Sequence, residues 1–277
     1  MHIAEKNENG AIMKTGISTG CLYPMLTEAA LEKLLSLGYD TIEIFFNSFS
    51  ELETDYLDRI RYLLDKNDAR AVSLHPFTSS FESFLLFSSY ERRFLDGVSF
   101  YEMYFRAAQR LGTDKIILHG LNTDYASSLT DSEYFRRFEI LQERARKYGT
   151  ELLQENVCRF RSRDPDFIEK MAREIPESAA FVCDVKQAAR RGLDPKEMAH
   201  AMGDKLRHVH ISDIGKNGDC VLPGKGQYDT EVFLKELINS GYNGSIMIEV
   251  YRFSFDKIEE LKEAHDYLDK LINRITA

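Results

Sequence analysis

The feature that most constrains the fold of this chain is a regular alternation of short β-rich runs with segments of helical period. Eight runs of five or six residues contain aliphatic and β-branched side chains: 14–18, 41–45, 70–75, 115–119, 151–155, 180–184, 207–211 and 245–250. Alternation of this kind indicates parallel strands, because each crossover between neighbouring parallel strands needs a helix to cover the sheet. Eight such units favour a closed barrel over an open, doubly wound sheet.

The rest of the sequence is consistent with one domain. Between the runs, apolar residues recur at helical spacing, and in the last segment the stripe is Ile258, Leu261, Ala264, Leu268 and Leu271. A length of 277 residues suits one α/β barrel, which typically has about 250. No Gly-x-Gly-x-x-Gly fingerprint follows the first run, which counts against a dinucleotide-binding sheet. We predict an α/β fold, a single (β/α)8 barrel over residues 13–277, preceded by a flexible tail, residues 1–12.

Composition and charge make some classes of function less expected than others. Asp and Glu outnumber Lys and Arg by 45 to 36, and the formal charge of −9 disfavours nucleic acid as a partner. No apolar run approaches the roughly 20 residues that cross a bilayer, and the first residues lack the apolar core of a signal peptide. No membrane contact is therefore expected. The four cysteines form no Cys-x-x-Cys pair, and a reducing cytoplasm is the expected location.

Charged or imidazole side chains lie at the ends of six consecutive predicted strands, from the third to the eighth. They are His75, His119, Glu155, Asp184, His210 and Glu249. The carboxyl ends of barrel strands meet at one rim, where the active sites of such barrels lie. A buried charge without a partner is costly, so this convergence indicates a bound cation. We predict that a divalent metal ion binds to Glu155, Asp184, His210 and Glu249.

Simpler explanations exist for each of these residues taken alone. An isolated strand-end histidine is more often a hydrogen-bonded core residue than a ligand, and an acid such as Asp184 can simply cap the following helix. The metal interpretation depends on the set rather than on any one member. His75 and His119 are predicted to contact substrate hydroxyls or a second metal. Glu43 and His208, which lie inside their strands, are assigned structural roles.

Seven segments distributed over the chain carry a family resemblance. They are SLHPF at 73–77, LGTDKIILHG at 111–120, LLQENV at 152–157, FVCDVKQA at 181–188, HVHISD at 208–213, LPGKGQYD at 222–229 and GYNGSIMIEVY at 241–251. Together they resemble the xylose isomerase-like barrel superfamily (AP endonuclease family 2), which includes sugar isomerases, ketose 3-epimerases and the endonuclease IV type of DNA repair enzyme. For epimerase-like members, the resemblance implies one Mn-, Mg- or Co-type ion on the positions that are Glu155, Asp184, His210 and Glu249 here.

Two positions depart from the nuclease branch of that superfamily. The branch has a zinc-binding histidine three residues after the Asp of strand six, where this chain has Gln187. It has another ahead of the Pro-Gly-x-Gly turn, where this chain has Cys220. The resemblance therefore implies one ion rather than a trinuclear zinc cluster. Gln187 also replaces a substrate-contacting histidine of some ketose epimerases, which leaves the identity of the sugar open.

The predicted ligand set has a coherent chemistry. Three carboxylates and one imidazole form an oxygen-rich site that suits Mn²⁺ best, with Mg²⁺, Co²⁺ or Zn²⁺ as alternatives. An ion there would polarise the carbonyl of a sugar or sugar phosphate and stabilise an enediolate. Glu155 and Glu249, on strands roughly across the barrel, would exchange protons with opposite faces of the substrate. The predicted enzyme is a metal-dependent sugar epimerase or isomerase.

Other residues near the rim are predicted to contact the substrate. They are Lys186, Gln187, Arg252 and Arg159, and the last lies in an arginine-rich loop with Arg161 and Arg163. A negatively charged sugar substrate would explain the concentration of arginines in this loop, and so would a charged surface exposed to solvent. The aromatic segment 77–87 is explained equally well by a lid, by a contact in a homo-oligomer or by the start of a helix.

Three other functions stay open at the level of sequence. An endonuclease IV-like phosphodiesterase acting at abasic DNA sites would use the same rim with additional zinc ions. An inosose dehydratase-like lyase is compatible with the same scaffold. A non-catalytic, ligand-binding barrel is the third alternative, although it would not need the two opposed carboxyl groups of Glu155 and Glu249.

Overall fold

A computed structural model describes residues 13–276, in which eight parallel strands close into a barrel. The barrel strands are β1 (Lys14–Ser18), β2 (Thr41–Phe45), β3 (Arg70–His75), β4 (Lys115–Leu118), β5 (Glu151–Glu155), β6 (Phe181–Asp184), β7 (Leu206–Ile211) and β10 (Ser245–Ile248). Around the barrel they follow the order β1, β10, β7, β6, β5, β4, β3, β2. The predicted single-domain (β/α)8 barrel is confirmed, with every predicted strand observed. The predicted tail, residues 1–12, lies outside the described residues.

The seventh loop contains a small antiparallel pair, β8 (Asp213–Ile214) and β9 (Cys220–Val221). The carboxylate of Asp213 accepts hydrogen bonds from the backbone N–H groups of Ile214, Gly224, Gly226 and Tyr228. A buried carboxylate with several backbone donors is well satisfied. Asp213 therefore holds the Pro-Gly-Lys-Gly turn beside the rim.

The helices connect the strands and bury their apolar faces against them. They are α1 (Thr27–Ser36), α2 (Thr54–Lys66), α3 (Ser79–Leu85), α4 (Glu91–Leu111), α5 (Asp131–Arg146), α6 (Pro165–Glu174), α7 (Val185–Arg191), α8 (Pro195–Met202), α9 (Thr230–Asn239) and α10 (Glu259–Thr276). In α10, four residues of the predicted stripe are buried: Leu261, Ala264, Leu268 and Leu271. Within residues 13–276, no helix has the length and apolar character needed to cross a membrane.

Alternate residues of the barrel strands point into the barrel, and this periodicity decides which side chains reach the rim. A small apolar cluster inside the barrel consists of Ile117, Leu153, Ala180 and Val182. Two residues beyond three of its members come His119, Glu155 and Asp184. Because strand side chains repeat with period two, these polar groups lie on the same inward face, above the apolar cluster.

The aromatic segment 77–87 has two environments. Phe87 is buried, and its ring stacks on that of Tyr134 with the centroids 4.1 Å apart. Phe81 and Phe84, both in α3, are exposed. Part of the segment thus starts a helix and part belongs to the core. For the exposed rings, the lid and oligomer interpretations stay predictions.

Gly120, immediately after His119, offers a test of the packing beneath the rim. Its φ is +92°, and a Cβ atom there would overlap the Tyr134 hydroxyl, which donates a hydrogen bond to Gln154. At Gly149 φ is +72°, but nothing lies within 4 Å of a Cβ atom. We expect Gly149→Ala to lower the free energy of unfolding by about 1–2 kcal/mol through backbone strain. Gly120→Ala should cost about 1–3 kcal/mol more because of the overlap. Chemical denaturation measures both losses, and equal losses would contradict this packing.

Candidate metal centre

The four predicted ligands meet at the carboxyl end of the barrel. Ligand atoms of Glu155, Asp184, His210 and Glu249 all lie within 4.8 Å of one another. Nδ1 of His210 lies 3.2 Å from a carboxylate oxygen of Glu155 and 3.2 Å from one of Glu249. Its distance to Oδ2 of Asp184 is 3.7 Å. Three carboxylates and one imidazole at these separations can hold a divalent ion.

One carboxylate oxygen atom of Glu155 lacks a hydrogen bond. Oε2 of Glu155 is buried and accepts none from the described residues, although Nε2 of His119 lies 3.2 Å away. Buried polar atoms are nearly always satisfied, so an exception points to a ligand or an ordered water. An ion bound to this carboxylate would satisfy it. The side chains present therefore fit a metal ion.

The orientation of His210 is set by Glu43. Oε2 of Glu43 lies 3.0 Å from Nε2 of His210 and accepts a hydrogen bond of 2.7 Å from the Ser73 hydroxyl. Because Nε2 is engaged, Nδ1 is the nitrogen that faces the other carboxylates. Carboxylates commonly fix the rings of metal-binding histidines in this way. The sequence alone assigns Glu43 a structural role, and the contact with His210 makes it a positioning residue as well.

Asp184 both caps a helix and faces the cluster. Its Oδ1 accepts a hydrogen bond of 2.9 Å from the backbone N–H of Gln187, in the first turn of α7. The side chain of Asn156 holds its backbone, since it accepts from the Asp184 N–H and donates to the Asp184 carbonyl. Oδ2 is the oxygen that faces His210. The capping and ligand interpretations are compatible because a carboxylate has two oxygen atoms.

The Lys186 side chain contacts two of the predicted ligands directly, which the sequence does not predict. Its buried ammonium group donates hydrogen bonds to Oδ2 of Asp184 and Oε2 of Glu249. Burial disfavours the charge, but the two carboxylates outweigh this effect and raise the pKa of Lys186 well above its usual range. A positive charge therefore lies between two of the four predicted ligands, while the predicted substrate contact of Lys186 stays a prediction.

The two carboxyl groups with a predicted proton-transfer role have different electrostatic environments. Burial raises the pKa of Glu155, against the lowering effect of its hydrogen bond with His210. Burial acts the same way on Glu249, but Lys186 and His210 outweigh it and hold the pKa of Glu249 well below its usual range. A pair of carboxyl groups with pKa values shifted in opposite directions can provide an acid and a base at the same pH.

His75 and His119 form a second group with Glu155. Ligand atoms of these three residues also lie within 4.8 Å of one another. Burial lowers the pKa of His75 to about 4. For His119 the effect of burial is outweighed by the carboxylate of Glu82, 3.6 Å from Nδ1, and by the charge of Glu155, which raise its pKa to about 8. A neutral and a protonated imidazole side by side can bind hydroxyl groups. To hold an ion together with His75 and Glu155, His119 would have to lose its proton, because a protonated imidazole has no free lone pair.

Glu82 is a residue of the site that sequence reasoning missed. Its buried carboxylate accepts hydrogen bonds from the backbone N–H groups of His119 and Gly120 and from the Tyr101 hydroxyl. Glu82 lies in α3, and only the way in which α3 packs beside β4 brings it to His119. The one sequence signal is an acid among the aromatic residues of segment 77–87.

The structure does not bring the remaining predicted substrate contacts to the four ligands. The side chain of Gln187 accepts a hydrogen bond from a backbone N–H of the fifth loop and so joins that loop to α7. Arg252 donates to a carbonyl of its own loop. Arg159 is exposed and pairs with Asp124 at 3.0 Å. Their roles as substrate contacts stay predictions.

A large depression of the described surface, about 1340 Å³, lies at the opposite end of the barrel. Strand-start residues line it, among them Lys14, Arg70, Lys115 and Glu151. The two groups of candidate metal ligands that share Glu155 lie at the other end. The candidate metal ligands therefore indicate that the active site lies at the carboxyl rim, where the active sites of βα barrels are found, rather than in this depression.

Comparisons with known proteins give the family of this barrel. Residues 31–271 match the family described as xylose isomerase-like TIM barrel. An uncharacterised protein of Mycobacterium leprae (strain TN) is 26% identical over 259 residues, which cover 86% of this chain and 89% of the relative. The fructoselysine 3-epimerase of Escherichia coli O157:H7 is 22% identical over 251 residues, which cover 86% of this chain and 90% of that enzyme.

A solved structure shares the fold. The crystal structure of a D-tagatose 3-epimerase-like protein superposes with a TM-score of 0.79 at 20% sequence identity, and the match covers 95% of this chain and 98% of that one. At this identity the likeness shows the fold alone. The family match spans seven of the eight barrel strands and all four predicted ligands. This chain belongs to the xylose isomerase-like TIM barrel family.

Proposed function

We propose that this protein is a metal-dependent sugar or sugar phosphate epimerase or isomerase that transfers protons through Glu155 and Glu249. One observation carries the proposal: these carboxyl groups, Glu155 at the end of β5 and Glu249 immediately after β10, both lie 3.2 Å from the same atom, Nδ1 of His210. Around the barrel, β6 and β7 separate β5 from β10. The two groups therefore approach the site from different sides, as proton transfer on two faces of a substrate requires.

Four side chains at the rim could hold a divalent ion. Glu155, Asp184, His210 and Glu249 would bind it, with Mn²⁺ as the preferred ion and Mg²⁺, Co²⁺ or Zn²⁺ as alternatives. When bound, such an ion supplies Lewis-acid polarisation of a substrate carbonyl. Glu43 keeps the His210 ring in the orientation that presents Nδ1 to the cluster.

The proton transfers follow from the placement of the two carboxyl groups. An ionised carboxylate removes the proton α to the carbonyl, and the substrate becomes an enediolate. The carboxyl group on the other side then returns a proton. Return to the same carbon from the opposite face gives epimerisation. Return to the neighbouring carbon, with the hydroxyl proton passing from one oxygen atom of the enediolate to the other, gives aldose–ketose isomerisation. Similarity to a fructoselysine 3-epimerase supports epimerisation.

His75 and His119 are proposed to hold hydroxyl groups of the sugar. Their ring centroids are 4.9 Å apart, and Nε2 of His119 is 3.2 Å from Oε2 of Glu155. A sugar that lies against Glu155 would therefore contact His119 as well. If the sugar is anionic, Arg159 of the fifth loop is the proposed partner of its negative group.

A phosphodiesterase of the endonuclease IV type is the second candidate. It is favoured by the group of His75, His119 and Glu155, which could hold a second ion that shares Glu155 with the first. Gln187 and Cys220, at positions where the resemblance implies further zinc-binding histidines, weigh against it. This candidate predicts cleavage of DNA at abasic sites, which an epimerase does not perform.

Glu249→Gln tests the proton-transfer role. With Mn²⁺ present, we expect the wild-type protein to exchange the α-hydrogen of at least one sugar, from a panel of free and phosphorylated ketoses, with solvent deuterium. The variant should lose about 10²- to 10⁴-fold in exchange rate, because an amide cannot accept the proton. Mass spectrometry of the recovered sugar measures the exchange.

The control for this experiment is Glu263→Gln, which changes an exposed carboxyl group that pairs with Lys225 on the surface and should keep the wild-type rate. A normal rate for Glu249→Gln would show that the assignment of Glu249 is wrong. Absence of exchange across the whole panel would contradict the proposed function, and cleavage of abasic DNA would favour the second candidate.

Glu43→Gln tests the orientation of the metal site. An amide cannot serve as a charged acceptor for both His210 and Ser73, so we expect Mn²⁺ binding to weaken by about 10- to 100-fold in calorimetric titration. The matched control is Glu51→Gln, another buried carboxyl group, which hydrogen-bonds to Thr27 instead. Its Mn²⁺ affinity should equal that of the wild type. Equal affinities for the two variants would argue against a positioning role for Glu43.

A further inference from the structure

We propose that Lys186 is an internal cation that competes with the divalent ion for Asp184 and Glu249. In the ion-free protein its ammonium group neutralises these two carboxylates, and the group withdraws from them when the ion binds. The inference rests on the proposed function, because it takes the metal site as given. It goes further by giving Lys186 control over metal affinity.

The contacts of Lys186 are with ligand oxygen atoms themselves. Its Nζ donates hydrogen bonds to Oδ2 of Asp184 and to Oε2 of Glu249. The same two oxygen atoms face Nδ1 of His210, at 3.7 Å and 3.2 Å respectively. The ammonium group therefore uses the oxygen atoms that an ion in this cluster would need.

An ammonium group and a divalent ion compete for these oxygen atoms at close range. A charged lysine has three donors and no lone pair, so it cannot itself be a ligand. Its charge would repel an ion on the same carboxylates, and the repulsion is strong where little water is present to screen it. Only 7% of the Lys186 side chain and 1% of that of Asp184 are exposed. Binding of the ion therefore favours withdrawal of the ammonium group.

Two features allow the lysine to withdraw. Its four-carbon stem is flexible and starts at the second residue of α7, so the ammonium group can move without a change in the backbone. Glu249 is the most exposed of the four ligands, with 13% of its side chain accessible against 1% or less for the others. The cluster therefore opens toward solvent on the side of Glu249, where Lys186 is bound.

A lysine that only oriented Asp184 and Glu249 would have the opposite effect on metal binding. Loss of an orienting residue weakens metal affinity by about 10- to 100-fold. Loss of a competitor strengthens it: if Lys186 is in place in about nine molecules of ten, the apparent affinity is about tenfold below the intrinsic one. The sign of the change in affinity therefore separates the two roles.

Lys186→Met removes the charge and keeps a long, unbranched side chain. We expect calorimetric titration of the chelator-treated protein with MnCl₂ to give a dissociation constant about tenfold lower for this variant than for the wild type. The matched control is Arg190→Met, which removes a positive charge one helical turn further along α7. Arg190 donates to the Tyr251 hydroxyl rather than to a ligand, so its loss should leave the dissociation constant unchanged.

The outcomes separate this inference from the proposed function. An unchanged or higher dissociation constant for Lys186→Met would overturn the inference and leave the proposed function standing. A decrease of the same size in Arg190→Met would also overturn it, since charge alone would then explain the effect. If Mn²⁺ bound to none of the three proteins, the metal-dependent function would fail and the inference with it.

A crystal structure of the wild-type protein soaked with Mn²⁺ tests the inference without any variant. With an ion bound to the four ligands, Nζ of Lys186 should lie outside hydrogen-bonding distance of both Asp184 and Glu249. An ion at that position with Nζ still bonded to both carboxylates would overturn the inference.

Discussion

The contact of His210 with carboxylates through both of its ring nitrogens is the interaction on which the whole rim depends. Nε2 lies 3.0 Å from Glu43, and Nδ1 lies 3.2 Å from both Glu155 and Glu249. Burial of a carboxylate without a partner is unfavourable in free energy. One imidazole that contacts three carboxylates offsets much of this unfavourable free energy. Carboxyl groups from β2, β5 and the end of β10 can therefore converge, and the proposed ion site and proton transfers follow from this convergence.

Much of the fold, and the convergence of the four predicted ligands at the rim, can be predicted from the sequence, because both depend on local patterns. In β6 (Phe181–Asp184) every residue is buried, as the apolar run predicts for a strand covered on both faces. The acid that ends it lies at the rim because strand ends meet there in a closed barrel. The same two patterns locate Glu155 and Glu249, and together with the resemblance they predict the family.

The partners of Glu43, Glu82 and Lys186 could not be predicted from the sequence, because they depend on contacts between distant segments. Glu43 and His210 are 167 residues apart in sequence, and Lys186 and Glu249 are 63 apart. The position of Lys186 beside the rim predicts a contact with a substrate and a contact with a metal-binding residue equally well. Only the packing of α7 against the barrel shows that the Lys186 ammonium group turns toward the carboxylates.

The decisive measurement for a one-ion site at the rim is the metal content of the purified protein. The protein would be equilibrated with Mn²⁺, freed of unbound ion by gel filtration and analysed by inductively coupled plasma mass spectrometry. About one ion per chain is expected, and clearly less in His210→Ala, because loss of one of the four proposed ligands weakens the site. Two or three ions per chain would contradict the one-ion site, and an ion-free wild-type protein would contradict the metal site itself.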